Sequence, residues 1–418
     1  MNFESIFKDT DPVIVSILDK ALSDKEISVK EGIELLDIKK SNELNLLTII
    51  ADQIRSKSVG NVVTYVVNRN INFTNVCIKG CGFCAFSRDF RQDEGYFLPT
   101  EEIVRRAQEA RRFGATEVCI QAGLPPKMDG FLYVDLCKKI KKQIPDIHIH
   151  AFSPEEILYG ASRAEISIEE YLKLLKDAGI GSLPGTSAEI LDQKIRDIIS
   201  PGRIRVDQWI NVIKTAHRLK IPTTSTIMYG HIETNEHISE HINLIRTIQK
   251  ETKGFTEFVP LSFVHSEAPM YNEKLVKNIR TGPTGFEVIK IHAIARLMLN
   301  NLINNIQVSW VKEGPRMSQF LLCAGSNDLG GTLMNESIST SAGARYGQLM
   351  RPSEITNIIK SCGRIPMQRT STYKLIDKKS EDKTGSLDSL DHNIFGSYDE
   401  LIKLDRFRFK DLSANQIK

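Results

Sequence analysis

Three cysteines in one short segment have the clearest chemical potential in this sequence. Cys77, Cys81 and Cys84 lie in the stretch Cys-Ile-Lys-Gly-Cys-Gly-Phe-Cys. Thiolates at this spacing can each bind one iron of an iron–sulfur cluster. A four-iron cluster would keep one iron without a cysteine from this motif, open to a small chelating cosubstrate. The spacing therefore predicts a cluster with an open coordination position.

Zinc is the alternative metal that these three cysteines could bind. A structural zinc ion takes four protein ligands, and no His or Cys lies between Ala85 and Glu117 to complete such a set. The other cysteines, which are Cys119, Cys137, Cys323 and Cys362, are scattered, and we predict that they are small buried apolar residues. The total of seven is odd, which argues against a disulfide scaffold.

An alternation of strands and helices must position the cysteine segment. Strands are predicted at residues 62–67, 116–121, 147–152, 179–183, 223–228, 257–263 and 306–310, with the end of a last strand at 324–327. Amphipathic helical segments separate most of them, and this order is typical of a parallel sheet. The fold class predicted is α/β, a TIM-type (β/α)8 barrel. An open doubly wound sheet is the competing interpretation.

The two ends of the chain differ from this pattern. Residues 1–60 are predicted to form an N-terminal helical segment, in which Leu44, Leu47, Ala51 and Ile54 recur at helical spacing. We expect the barrel at residues 61–370 and a polar, partly disordered C-terminal tail at 371–418, where charges dominate from 377 to 383. Apolar residues that could still dock part of this tail are Phe395, Tyr398, Leu401 and Phe407.

The composition excludes several classes of function. Among 418 residues, 41% are hydrophobic and 26% are charged, as in ordinary globular proteins. The 55 Lys and Arg against 52 Asp and Glu are too balanced for an electrostatic nucleic-acid binder. No apolar run approaches the roughly 18 residues of a membrane span, and the N-terminus lacks the features of a signal peptide. We therefore expect a cytoplasmic chain with no nucleic-acid or membrane partner.

The cysteine motif and several other stretches resemble one group of enzymes. Cys-x-x-x-Cys-x-aromatic-Cys after a first strand is similar to the motif of radical S-adenosylmethionine (SAM) enzymes. The flanking residues 68–75 and 85–86 resemble the enzymes of deazaflavin and futalosine-pathway menaquinone biosynthesis. Residues 122–126, 148–156, 185–191 and 323–332 resemble the 5-amino-6-(D-ribitylamino)uracil–L-tyrosine 4-hydroxyphenyl transferase family, FO synthase subunit 2. The resemblance covers about residues 27–367.

This resemblance implies cofactors, a reaction and partners. A [4Fe-4S] cluster on the three cysteines would bind SAM and reduce it to methionine and a 5′-deoxyadenosyl radical. In the family, the radical takes hydrogen from L-tyrosine, the Cα–Cβ bond breaks, and the 4-hydroxybenzyl group joins 5-amino-6-(D-ribitylamino)uracil. The expected partners are these substrates, an electron donor such as ferredoxin or flavodoxin, and a separate ring-closing radical SAM subunit.

Further candidate residues follow predicted strands, at the end where barrels place their active sites. Glu189 is predicted to bind SAM, although an acid in the first turn of a helix is the alternative. Gln-Ala-Gly at 121–123 stands where the family has a Gly-rich contact with SAM. The predicted roles are catalytic for His150, Tyr229 and His231, cofactor-binding for Gln121, Gly123, Glu189 and Arg203, substrate-binding for His148, Asn327 and Asp328, and metal-binding for Cys77, Cys81 and Cys84.

Two other functions stay open on the sequence alone. The first is a futalosine-pathway radical SAM enzyme, either an aminofutalosine synthase or a cyclic dehypoxanthine futalosine synthase, which would share the cluster motif and the fold. The second is a non-catalytic iron–sulfur or zinc protein, which would consume no SAM. A non-catalytic protein of this kind would not require the long barrel-like scaffold.

Overall fold

A helical segment precedes the first strand. The computed structural model describes residues 9–376, 387–391, 394–396 and 398–412. The first helices are Pro12–Leu22, Val29–Leu36 and Ser41–Val59. Ser28 and Glu31 form a capping box at the start of the second helix, which satisfies N–H groups that the first helical turn leaves unpaired. Leu47 and Ala51 of the third helix are fully buried, as their spacing predicts.

Eight extended positions form a closed ring. In ring order they are β1 (Val62–Val66) continued by β2 (Asn68–Ile71), β3 (Glu117–Ile120), β4 (His148–His150), the bridge residues Ser182 and Leu183, β5 (Thr223–Tyr229), β6 (Phe255–Ser262), the bridge residues Ile306 and Gln307, and β7 (Asp328–Gly331). All neighbours in the ring pair in parallel, and Thr64 of β1 lies opposite Asp328 of β7, which closes it. The predicted (β/α)8 barrel is confirmed, and the open sheet is wrong.

Helices surround this ring. They are Thr100–Arg112, Leu132–Gln143, Pro154–Arg163, Ile168–Asp177, Gln193–Ile199, Val206–Arg218, Asn235–Thr252, Pro269–Asn272, Gly285–Met298, Trp310–Leu322, Ile338–Ser341 and Pro352–Ser361. Pro99 takes the N-cap position of the helix Thr100–Arg112. None of the described helices has the length and apolar character of a transmembrane segment.

A C-terminal hairpin closes the end of the barrel where the strands begin. β8 (Ile365–Arg369) pairs in parallel with β1 and antiparallel with β9 (Leu375–Ile376). Arg369 Nε donates to Asp328 Oδ2 at 2.5 Å, at the first residue of β7. The sequence patterns did not predict β8, because Ile-Pro-Met-Gln-Arg contains a proline and only one β-branched residue.

Part of the C-terminal tail packs on the outside of the barrel. The Phe395 ring meets Phe113 edge-on, with centroids 5.8 Å apart. Leu401 and Phe407 are buried, and Phe97 N donates to Phe407 O at 2.8 Å. Docking through these apolar residues agrees with the sequence pattern. The charged run at 377–383 and the Tyr398 side chain lie outside the described residues.

Candidate active site

A cavity of about 420 Å³ opens where the strands end. Residues that follow strand positions line it; they include Gln121, Ser153, Thr186, Phe263, Ser309 and Leu333. Active sites of parallel barrels lie at this end, because loops from all the strands converge there. The cavity is therefore the candidate active site.

The cysteine loop forms one wall of this cavity. Cys77, Cys81 and Cys84 are free thiols that line it, with Cys81 buried and the other two half-buried. Backbone bonds hold the loop: Ile78 N donates to Leu124 O at 2.9 Å, and Gly82 N donates to Ile199 O at 2.8 Å. Neighbouring segments of the barrel thus fix where the three thiols point.

The chemistry of these thiols fits an iron–sulfur cluster. Burial raises the pKa of Cys77, and it raises the pKa of Cys81 to about 12. Thiolates in this setting therefore need cations that bind them directly, and iron ions meet that need. In the part of the chain that the structure describes, no three His, Cys, Asp or Glu side chains converge on one metal ion. A cluster takes one thiolate per iron, so its ligands need not converge in that way.

Arg203 links the cysteine loop to two buried carboxylates. Its Nη1 lies 3.5 Å from Cys81 Sγ and 3.0 Å from Glu189 Oε1, and its Nε lies 3.6 Å from Glu155 Oε2. Burial alone would lower the pKa of Arg203, but the charges of Glu189, Cys81 and Glu155 raise it overall. A permanent positive charge thus stands beside the cysteine loop.

Glu189 reaches the cavity from a loop, and it is not part of a helix. Its φ is 41°, and the next helix begins at Gln193. The alternative in which Glu189 is an acid of a helix first turn is therefore wrong. Its carboxylate lines the cavity, so it can still accept hydrogen bonds from a ligand there.

Gln121 and Gly123 also line the cavity. Gln121 Oε1 accepts a hydrogen bond from Thr186 Oγ1 at 3.0 Å. A Cβ atom on Gly123 would lie 2.2 Å from Val76 O, so a side chain at this position would displace the backbone of the cysteine loop. Glycine is needed here because two backbone segments approach closely.

Of the two histidines on β4, only His150 lines the cavity. His150 Nδ1 and His148 Nε2 each lie 2.7 Å from Ser182 Oγ, so one hydroxyl connects both rings. Burial lowers the pKa of His148 to about 4 and lowers that of His150, although the charge of Glu117 opposes both shifts. Both rings are therefore neutral near pH 7. His148, which was predicted to bind substrate, is the first residue of β4 and does not line the cavity.

The structure does not bring Tyr229 and His231 to the cavity. Thr224, Thr226 and Met228 of β5 line it, and side chains alternate along a strand, so Tyr229 points to the opposite face. The Tyr229 hydroxyl accepts a hydrogen bond from Ser262 Oγ at 3.1 Å. The His231 ring is fully buried, with Nε2 3.1 Å from Met228 O. The predicted catalytic positions of both residues are corrected on this ground.

Asn327 and Asp328 also lie away from the predicted substrate contacts. They stand where β7 begins, at the end of the barrel opposite the cysteine loop, because β7 starts after the predicted strand end at 324–327. Asn327 Oδ1 accepts from Arg296 Nη2 at 2.7 Å and from Ile306 N at 3.0 Å. Asp328 pairs with Arg369. Both side chains are committed to internal partners.

We expect Asn327→Ala to reduce stability and leave ligand affinity unchanged. The variant removes the acceptor of a buried guanidinium and of a buried N–H, so the free energy of unfolding should fall by about 1–3 kcal/mol. Urea denaturation measures this loss, and equilibrium dialysis measures the affinity for SAM and tyrosine. A lower affinity for tyrosine at unchanged stability would support the predicted substrate-binding role of Asn327.

Several cavity residues were missed in the sequence. They share the inward parity of their strands, and they include Asn68, Asn70, Glu117, Thr224, Glu257 and Leu261. Counting every second residue from one known inward position would have found them. Cys119 lines the cavity, Cys323 is exposed and Cys362 is half-buried. The prediction that the scattered cysteines are buried therefore holds for Cys137 alone of the four.

Two family models match this chain. The radical SAM superfamily matches residues 71–245, and the CofH/MqnC C-terminal region matches residues 252–381. A curated relative from Methanothermobacter thermautotrophicus is 49% identical over 361 residues, which cover 86% of this chain and 97% of the relative. A relative from Methanocaldococcus jannaschii is 51% identical over 358 residues, covering 85% and 98%. Both relatives are named 5-amino-6-(D-ribitylamino)uracil–L-tyrosine 4-hydroxyphenyl transferase.

Solved structures share the fold at low identity. Methylornithine synthase (PylB) has a TM-score of 0.67 and 18% identity, covering 84% of this chain and 97% of that chain. The [FeFe]-hydrogenase maturase HydG has a TM-score of 0.68 and 17% identity, covering 88% and 78%. The shared fold and the sequence identity to the curated relatives, which extends over nearly their whole length, indicate the same superfamily. The chain belongs to the radical SAM superfamily and, within it, to the 5-amino-6-(D-ribitylamino)uracil–L-tyrosine 4-hydroxyphenyl transferase family.

Proposed function

We propose that this enzyme cleaves L-tyrosine at Cα–Cβ and transfers the 4-hydroxybenzyl group to 5-amino-6-(D-ribitylamino)uracil. The observation that carries the proposal is 51% identity across 98% of a relative with that name. The same relatives favour this reaction over the futalosine-pathway alternative. Membership in an enzyme family also argues against a non-catalytic iron–sulfur or zinc protein.

Cys77, Cys81 and Cys84 are proposed to hold the [4Fe-4S] cluster. With SAM bound, the cluster supplies the reductive cleavage that starts radical chemistry. Arg203 places a positive charge beside Cys81, which balances part of the negative charge of the thiolates. Glu189 and the backbone near Gly123 line the same part of the cavity, and they are proposed to bind the polar groups of SAM.

The deeper part of the cavity is proposed to bind the aminouracil. Asn68, Glu257, Gln307 and Ser371 line it there. The Ser371 hydroxyl is buried and lies beside the Glu117 carboxylate, whose pKa it helps to lower. A uracil edge or a ribityl hydroxyl would offer hydrogen-bond partners to these polar side chains. His150, which faces the same space, is proposed to contact substrate.

The position of the cavity inside the barrel also protects the reaction. A radical intermediate reacts with whatever is near, so both substrates must be held close together, with reacting atoms roughly 3–3.5 Å apart, and water must be excluded. Val259 and Leu261 of β6, and Phe263 directly after it, line this space with apolar side chains. The electron is proposed to come from a ferredoxin or flavodoxin, and a separate ring-closing radical SAM subunit is proposed to use the product.

The anaerobically reconstituted enzyme, with a reductant, tests the reaction. SAM, L-tyrosine and 5-amino-6-(D-ribitylamino)uracil together should give 5′-deoxyadenosine, methionine and a 4-hydroxybenzyl adduct of the uracil, each detected by mass spectrometry. Leaving out tyrosine should reduce SAM cleavage to a slow background, because no substrate is then held at the reacting position. Turnover with a futalosine-pathway substrate but not with tyrosine would contradict the proposed function and leave the fold and cofactors in place.

A further inference from the structure

Lys312 differs from the other cations that line the cavity. These cations are Lys79, Arg203, Lys312 and Arg369. Three are paired with carboxylates: Lys79 with Glu155 at 3.3 Å, Arg203 with Glu189 at 3.0 Å, and Arg369 with Asp328 at 2.5 Å. Across the described part of the chain, Lys312 Nζ makes no hydrogen bond and no ion pair within 4 Å. A half-buried ammonium group without a partner is costly unless a ligand supplies the opposite charge.

Glu336 is a carboxylate on the same side of the cavity. Lys312 lies in the first turn of the helix Trp310–Leu322, after the seventh position of the ring, and Glu336 follows β7, the eighth. Glu336 is buried, and its carboxylate accepts hydrogen bonds from Ser339 N at 2.9 Å and Thr340 N at 3.3 Å. Among the described residues, no cation lies within 4 Å of it.

The two side chains influence each other without touching. Burial lowers the pKa of Lys312, and the nearby charges of Glu336 and Glu313 oppose this shift. Burial also raises the pKa of Glu336, against its backbone hydrogen bonds and the charge of Lys312. Two opposite charges thus face one cavity with a gap between them. A ligand that carries a negative group and a positive group close together would pair with both side chains.

We propose that Lys312 and Glu336 bind the α-carboxylate and the α-ammonium group of the amino-acid substrate. This inference rests on the proposed function and assigns a recognition site to it. An α-amino acid carries an ammonium group and a carboxylate on one carbon atom. Each of these groups would form a charge-assisted hydrogen bond with the side chain of opposite charge. The neighbouring strand β6 presents apolar residues to the cavity, and these can pack against the phenol ring.

SAM carries a similar pair of groups, but its proposed contacts lie on another part of the ring. Gln121 and Gly123 follow the second strand position, and Glu189 follows the fourth. Lys312 and Glu336 follow the seventh and eighth positions, in the facing half of the barrel. We therefore assign Lys312 and Glu336 to the amino-acid substrate and not to SAM.

Ligand binding without turnover tests the assignment. The reconstituted enzyme with SAM and no reductant is dialysed against L-tyrosine, tyramine, which lacks the carboxylate, or 3-(4-hydroxyphenyl)propionate, which lacks the amine. Lys312→Met should weaken tyrosine binding about 10- to 100-fold and leave tyramine binding unchanged. Glu336→Gln should weaken the binding of tyrosine and tyramine but not of the propionate. Lys360→Met, which changes an exposed lysine outside the cavity, is the matched control.

Iron content and SAM affinity equal to the wild-type values show that each variant is intact. Lys312→Gln replaces Lys312→Met if the latter fails to load iron. Unchanged tyrosine affinity in both the Lys312 and Glu336 variants would overturn the inference while the proposed function stands. Failure of the wild-type enzyme to bind tyrosine would overturn both the inference and the proposed function. The variants therefore test the inference, and the wild-type enzyme tests the proposed function.

Discussion

Replacing Cys81 with alanine should abolish SAM cleavage. Cys81 is the most buried of the three loop cysteines, and without its thiolate one iron of the cluster loses its protein ligand. Iron and labile sulfide per chain, measured after anaerobic reconstitution, should fall well below the wild-type values. The 5′-deoxyadenosine formed with reductant and tyrosine should fall to the level of a reaction without enzyme.

Cys119→Ala provides the matched control, because this thiol also lines the cavity. Cys119 lies on β3 and accepts a hydrogen bond from Gln121 Nε2 at 3.4 Å, outside the cysteine loop. Its removal should leave the iron content unchanged. Full activity in the Cys81→Ala enzyme, or loss of iron in Cys119→Ala alone, would refute the assignment of the cluster ligands.

Arg203→Met should have the second large effect, on stability and on SAM binding together. Glu155 and Glu189 are only 5% and 8% exposed, and the variant removes a cation that both of them contact. Removal of one partner from a buried charge network costs up to about 3–5 kcal/mol. Each carboxylate then keeps one cation, which is Lys79 for Glu155 and Arg196 for Glu189. Urea denaturation of the apoprotein should show this loss, and the dissociation constant of SAM should rise in the reconstituted enzyme.

Arg205→Met is a suitable comparison two residues away. Arg205 pairs with Asp207 at 3.0 Å, and both side chains are exposed, so its removal should change stability by less than about 1 kcal/mol. Arg203→Lys keeps the charge and should recover part of the stability. An Arg203→Met protein as stable as the Arg205→Met protein would show that the buried carboxylates do not depend on Arg203.

The barrel was predictable where strands have a strong local preference. The segment Thr223–Tyr229 is rich in β-branched residues, and its strand was found to within one residue. β7 has the sequence Asp-Leu-Gly-Gly and is fully buried. Its strand conformation comes from pairing with β1 in the folded barrel, which local sequence does not reveal. The predicted strand end was therefore misplaced, and Asn327 was assigned to the wrong end of the barrel.

The site was predictable where a motif specifies its own chemistry. The spacing of Cys77, Cys81 and Cys84 was sufficient to place the three thiols on one loop, and the structure places that loop at the cavity. For Tyr229 the missing information was the parity of its strand. No sequence pattern indicated a binding role for Lys312 and Glu336. Whether a charged side chain has a partner depends on residues that come from several strands.

The pairing of β1 has a consequence for synthesis on the ribosome. β1 is synthesised first, but its neighbour β7 lies 264 residues later, counted from Thr64 to Asp328, and β8 follows still later. At roughly 5–20 residues per second, this strand waits about 13 to 50 seconds for its partner. During that time its apolar edge is unpaired and open to association with other nascent chains. Chaperone binding to the unfinished chain would protect this edge, and messages that are translated slowly would lengthen the exposure.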